Sequence, residues 1–122
     1  MFMSRLAPEQ PASTEMAGHI EASALMKAMS NEARLMILCR LFDEEKSVSE
    51  LEQMIGLSQS AISQHLAVLR DNDLVNTKRD GQSIKYSLAG AKPRAIIEVL
   101  HRLYAKCPIK TRHSIDNGLA VN

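Results

Sequence analysis

A mainly α fold of about five helices plus one two-stranded β-hairpin is what this 122-residue chain predicts, and three observations predict it. Two short segments with apolar stripes flank Gly56 between Ser47 and Leu69. Two alternating runs follow, separated by Asp80-Gly81-Gln82. The core must also be aliphatic: hydrophobic residues make up 45% of the chain and aromatics 3%, with seven Met and no Trp, which favours helix packing over a β-sandwich. The length suits one domain with a single core, small enough that a partner would add stability.

Taken in order, residues 1–14 hold Pro8, Pro11, Ser and Thr without periodicity, and are expected to form a disordered arm. The domain itself is expected over 15–106. Its first helix runs from Glu15 to about Ala28, with Met16, Ile20, Leu25 and Met29 as sparse apolar marks. Asn31 caps a second helix over Glu32 to Phe42, where Leu35, Leu38, Leu41 and Phe42 give a broad buried face. The acidic Asp43-Glu44-Glu45 loop closes this half.

Ser47 and Glu50 have the spacing of a capping box, and Val48, Leu51 and Ile55 follow at helical spacing. Gly56 supplies the φ > 0 that a sharp reversal after a helix needs. Ser58 caps the next helix, whose buried stripe is Ile62, Leu66 and Leu69. Its other face carries Gln59, Ser60, Ser63 and Gln64, and from Ser58 to Ala67 there is no Lys, Arg, Asp or Glu. A solvated helix face ordinarily carries Lys and Glu in i,i+4 pairs. Short hydroxyls and amides near a helix N-terminus suit a DNA major groove, where they pair with base edges. The pattern is that of a helix-turn-helix; its bland alternative is a helical hairpin with a polar face.

Asn72-Asp73 breaks the periodicity. Val75 to Arg79 and Ser83 to Leu88 then alternate around Asp-Gly, a strong hairpin signal. Two strands alone are marginal, so they must lean on the helices. A hairpin placed directly after a recognition helix is a wing. Lys78, Arg79 and Lys85 are placed to reach flanking phosphates, and Gln82 and Ser83 at the tip to enter the minor groove. The alternative is a solvated ribbon. Pro93 marks the first turn of a last helix reaching about Ala105, with Ile96, Leu100 and Leu103 in one stripe and Ile97 and Tyr104 beside it. Residues 107–122 are expected to be a loose tail. The first and last helices carry more apolar surface than the rest can cover, so a homodimer through these helices is expected, with two recognition helices one DNA turn apart.

The net charge of +1 shows that DNA binding must rest on placement of charge rather than its total. The cations gather at Lys78 to Lys85 and from Lys92 to Arg112. No apolar run approaches the ~18 residues of a membrane span and no signal-peptide core is present, so a cytoplasmic protein with no membrane partner is expected. Enzyme chemistry finds no foothold. There is no nucleophile with a positioned base, no glycine-rich phosphate loop and no Cys-x-x-Cys at a helix start, which argues against a thiol oxidoreductase. The uncharged Gln/Ser face and the basic wing argue against a protein-interaction module.

Residues 18–106 resemble the ArsR/SmtB family of bacterial winged-helix repressors. The likeness rests on Asn31-Glu32-Ala33-Arg34-Leu35-Met36-Ile37-Leu38, on Ser58-Gln59-Ser60-Ala61-Ile62-Ser63-Gln64-His65-Leu66, and on Leu74-Val75 leading into the Asp80-Gly81 wing. It implies a homodimer that binds a palindromic operator and is released by an effector, with Gln59, Ser60, Ser63, Gln64 and His65 contacting DNA. His65, on the flank of the helix, is suited to a phosphate contact or to packing against the motif's first helix.

The same resemblance bears on the effector. Members that bind arsenic or lead-like ions carry Cys-x-Cys in the first motif helix, where this chain has Ser47-Val48-Ser49-Glu50-Leu51. Zinc-type members place Asp and His along the last helix, where only Glu98 and His101 stand, half of a four-ligand site. No metal and no cofactor is expected. A further subgroup has one cysteine in the second helix and one in the last, and senses persulfides or oxidants by linking them. Cys39 matches its first cysteine. Cys107 lies two residues beyond the usual second position, held here by Ala105, and two residues turn a helix by about 200°. Linking Cys39 to Cys107 needs their Cα atoms within about 7 Å. The alternatives are relatives with the same motif helices and no such pair, in which both cysteines merely pack.

Overall fold

The computed structural model describes residues 9–104; the first eight residues and the chain from Ala105 onward, Cys107 included, lie outside the described residues. Five helices and three short strands follow one another as α1 (Glu9–Met29), α2 (Glu32–Asp43), β1 (Lys46–Ser47), α3 (Val48–Ile55), α4 (Gln59–Asp71), β2 (Val75–Asp80), β3 (Ser83–Leu88) and α5 (Ala91–Leu103). The fold is the winged helix-turn-helix that the sequence predicts.

Local chemistry sets most of the boundaries. Asn31 accepts a hydrogen bond from the Arg34 N–H at 3.0 Å and starts α2. Ser47 and Glu50 close a full capping box at the start of α3, with Glu50 Oε1 accepting from the Ser47 N–H at 2.8 Å and Ser47 Oγ from the Glu50 N–H at 3.1 Å. Gly56 ends α3 in the left-handed region at φ 88°. Asp73 does the same after α4 at φ 59°: its N–H donates to Arg70 O and that of Leu74 to Leu69 O, the paired bonds of a Schellman ending.

The core gathers Ile37, Leu38 and Leu41 of α2, Leu51 of α3, Ile62, Leu66 and Leu69 of α4, Val75, Leu88 and Ile97, with Ala28 and Met29 from the end of α1. Three expectations are corrected here. In α2 Leu38 and Leu41 are buried as expected and Ile37 and Cys39 join them, while Leu35 and Phe42 are only half-buried. The α5 stripe divides: Ile97 is buried, Ile96 and Leu100 are half-buried, and Leu103 and Tyr104 are exposed. The wing has a third strand, in the order β1-β3-β2. Lys46 pairs with Tyr86 and Ser47 with Lys85, covering an edge of β3 that two strands would leave open. Two residues that also begin a capping box offer no alternation, so periodicity does not reveal them.

α1 starts at Glu9, ahead of the expected Glu15, and stands away from the body for most of its length. Met16, Ile20 and Met26 are exposed, and only its closing turn enters the core. Arg34 clasps that turn, its Nε donating to Ala28 O at 2.7 Å and its Nη2 to Lys27 O at 3.3 Å, so a cation meets the carbonyl end of the helix. An open cleft of about 620 Å³ separates α1 from the turns before β2 and α5, with Lys92 reaching Glu21 at 3.8 Å.

Candidate DNA-binding interface

α4 shows its uncharged polar face to solvent. Gln59, Ser60, Ser63 and Gln64 are exposed, while Ile62, Leu66 and Leu69 of the same helix are fully buried. A period of 3.6 therefore separates the two faces cleanly. Ser58 is exposed as well, but its Oγ accepts from the Ala61 N–H at 3.2 Å and holds the first turn. His65 is half-buried on the flank. Ala67 continues the exposed face one turn further, so a methyl group joins the amides and hydroxyls there.

The wing leaves the body next to this helix. Gly81 takes φ 66° at the first of the two residues between β2 and β3, as a tight hairpin turn with a glycine at that position requires. Gln82 and Ser83 sit exposed at the tip, and Arg79 is exposed opposite Ile84. Lys78 and Lys85 are cross-strand partners, which puts two ammonium groups on one face of the ribbon. Like charges directly opposite are destabilising. Two carboxylates offset the repulsion: Glu45 lies 3.4 Å from Lys78 Nζ, and Glu50 lies 3.1 Å from Lys85 Nζ.

The two lysines are not equivalent. Lys78 projects outward, with 64% of its side chain exposed, whereas Lys85 retains 21%. Lys85 also donates to the same Glu50 oxygen that completes the capping box, tying β3 to the start of α3. The Ser47 N–H and the Lys85 ammonium hold the Glu50 carboxyl below its ordinary 4.5, and Glu50 raises Lys85 above its ordinary 10.5. Sequence reasoning placed Lys85 with the phosphate-directed cations and missed Glu50 and Glu45 as its electrostatic surroundings. Lys46 is buried and paired with Glu44 at 2.9 Å, which lowers the Glu44 carboxyl. The acidic run Asp43 to Glu45 was visible in the sequence, but α3 and α4 separate it from the hairpin, so no local spacing pairs the two.

The other predicted positions lie apart from this surface. Cys39 is buried at 1% exposure in α2, within the core, and Cys107 is outside the described residues. His101 packs edge-on against Phe42 with ring centroids 5.9 Å apart, and the Arg94 guanidinium covers that ring at 5.0 Å. Among the described residues no three His, Cys, Asp or Glu side chains cluster as metal ligands, and no helix is long and apolar enough to cross a membrane.

Residues 31–77, from the α2 cap through the helix-turn-helix into β2, match the model of the bacterial regulatory protein arsR family. The transcriptional activator HlyU of Vibrio cholerae is 54% identical over 86 residues, 70% of this chain and 80% of that protein. The biofilm growth-associated repressor of Xylella fastidiosa is 40% identical over 84 residues, 69% of this chain and 74% of the repressor. The structure of reduced HlyU from Vibrio cholerae superposes with a TM-score of 0.71 at 50% identity, covering 75% of this chain and 96% of that one. With its motif, its wing and these relatives in agreement, the chain belongs to the ArsR family of DNA-binding transcriptional regulators.

Proposed function

We propose that this chain is a repressor that binds a palindromic operator as a homodimer and lets go when an effector reaches it. The observation that carries the reading is the exposed, uncharged ridge of Gln59, Ser60, Ser63 and Gln64 on α4, followed at once by a cationic hairpin. Amides and hydroxyls read base edges, with Gln suited to the paired groups of adenine, and the wing cations Lys78 and Arg79 supply phosphate neutralisation. Lys85, braced against Glu50, holds the wing at its angle to the motif. The exposed apolar side chains of α1 and α5 (Met16, Ile20, Leu103 and Tyr104) form the dimer surface, and a dimer occupying two successive major grooves keeps other proteins off that duplex.

The test is selection of duplexes from a random library, followed by titration of the selected sequence. Gln64→Ala is expected to lose about 1–3 kcal/mol of preference for that sequence with no change in melting temperature. Equal affinity for it in Gln64→Ala and wild type would show that α4 is not the reader.

The effector in this reading is a persulfide or an oxidant acting on Cys39 and Cys107. Linking the two thiols passes two electrons and two protons to the oxidant and ties α2 to the chain just past α5. α2 packs on α5, so the link acts on the helix that also belongs to the dimer surface. Diamide is expected to release DNA from wild type and to leave Cys39→Ser bound. Burial of Cys39 favours a second reading, in which the thiol only packs and release has another cause; equal response of the two proteins to diamide selects it.

A further inference from the structure

The two facing lysines of the wing differ in how firmly a carboxylate holds them. The ribbon sets Lys78 against Lys85, and each ammonium is matched by one carboxylate. The Lys85–Glu50 pair is built in: Glu50 also completes the α3 cap, and little of Lys85 is exposed. The Lys78–Glu45 pair is different. It is longer, at 3.4 Å, its side chains are 64% and 40% exposed, and Glu45 belongs to the short link between α2 and β1. An exposed pair of this kind is weak and easily exchanged. A phosphate oxygen offers Lys78 the same chemistry as the Glu45 carboxylate, at higher charge density along a duplex.

We propose that Glu45 is an internal stand-in for a DNA phosphate, neutralising Lys78 off DNA and competing with the duplex backbone for it. The inference rests on the reading that the wing meets that backbone. Glu45 thereby limits the sequence-independent part of the affinity, and it does so without touching the α4 ridge. This gives a physical reason for an acidic link placed beside a basic wing in a chain whose net charge is only +1. Salt weakens both competitors, and the two effects on DNA affinity oppose each other. It weakens the duplex contact through the loss of counterion release, and it weakens the Glu45 pair by screening, so the pair flattens the salt dependence of binding.

The experiment is fluorescence anisotropy of the full chain on a fluorescein-labelled random-sequence duplex over a KCl series. Glu45→Gln is expected to bind about two- to five-fold more tightly at low salt, the range of an exposed pair. Its plot of log affinity against log salt is expected to steepen by up to about one unit. Lys78→Gln alone is expected to lower the slope by about one. In the Lys78→Gln background, adding Glu45→Gln is expected to change neither affinity nor slope. Asp43→Asn, which removes the same charge at the end of α2, is expected to give a smaller gain than Glu45→Gln. If Glu45→Gln behaves as wild type while Lys78→Gln lowers the slope, this role of Glu45 is overturned and the wing reading stands. If the Glu45→Gln gain persists undiminished without Lys78, or Asp43→Asn matches it, general repulsion explains it and the proposal is overturned. If Lys78→Gln leaves the slope unchanged, the wing reading fails, and this inference with it. Equal melting temperatures across the set show that each variant is folded.

Discussion

Ser58 does its work with one hydroxyl. Its Oγ holds the Ala61 N–H, one of the donors that the first turn of α4 would otherwise leave open, and α4 carries the proposed reading face. Ser58→Ala is therefore expected to cost about 1 kcal/mol in urea denaturation. Ser58→Asp separates the two roles: a carboxylate caps equally well, so stability is retained, while a negative charge at the groove-facing end weakens duplex binding in titration. Residues of this kind are legible in sequence because their partners are three positions away. Asn31, Ser47, Glu50 and Ser58 were all placed by spacing alone. Arg34 and Lys46 were not. The carbonyls that Arg34 holds end a different helix, and the burial of Lys46 depends on a strand pairing that no local pattern announces.

At the scale of the element, the junction of β1, α3 and β3 decides how the wing is presented. One Glu50 oxygen receives both the Ser47 N–H and the Lys85 ammonium, so helix cap and sheet edge share a single carboxylate. Its ionisation links the junction to pH. The folded Glu50 carboxyl titrates below its ordinary 4.5, so its contribution to stability is present above that value and is lost as pH falls through the depressed one. Lys85 titrates above its ordinary 10.5, so its contribution is present below that value and is lost as pH rises through the raised one. In wild type the Glu50 contribution to the urea midpoint is expected to hold from neutral pH to about 4.5 and to be lost as the pH is taken further down. In Glu50→Gln the midpoint is expected to start lower and to fall less steeply. The hairpin itself was legible, since alternation around Asp-Gly is local; its third strand was hidden by shortness, and the ion pairs by the distance in sequence between the acidic link and the wing.

The molecule as a whole shows two populations of apolar side chains. Most of those of α2, α3, α4 and the sheet close on one another, with Val68 and Ile84 as exceptions, and their periodicity made them readable. Those of α1 and α5 divide, with Met16, Ile20, Leu103 and Tyr104 left in solvent. Exposed apolar side chains on two helices mark a surface that a further chain covers. Leu103→Glu is expected to shift the protein to a monomer in sedimentation equilibrium and to weaken selected-duplex binding more than ten-fold, since half of the contacts are then lost; a Leu103→Glu dimer would redirect attention to another surface. Periodicity alone assigns these residues to a stripe without saying which chain they meet, so the stripes were legible and their split was not. The clasp of Arg34 on the closing turn of α1 carries a last consequence. A lone subunit holds this helix as a stalk anchored at one end, with Glu15 and Glu21 on its uncovered length. If two such stalks lie together in the dimer, a protease that cuts after glutamate is expected to clip single subunits at those points faster than paired ones, so the digestion pattern becomes a gauge of assembly.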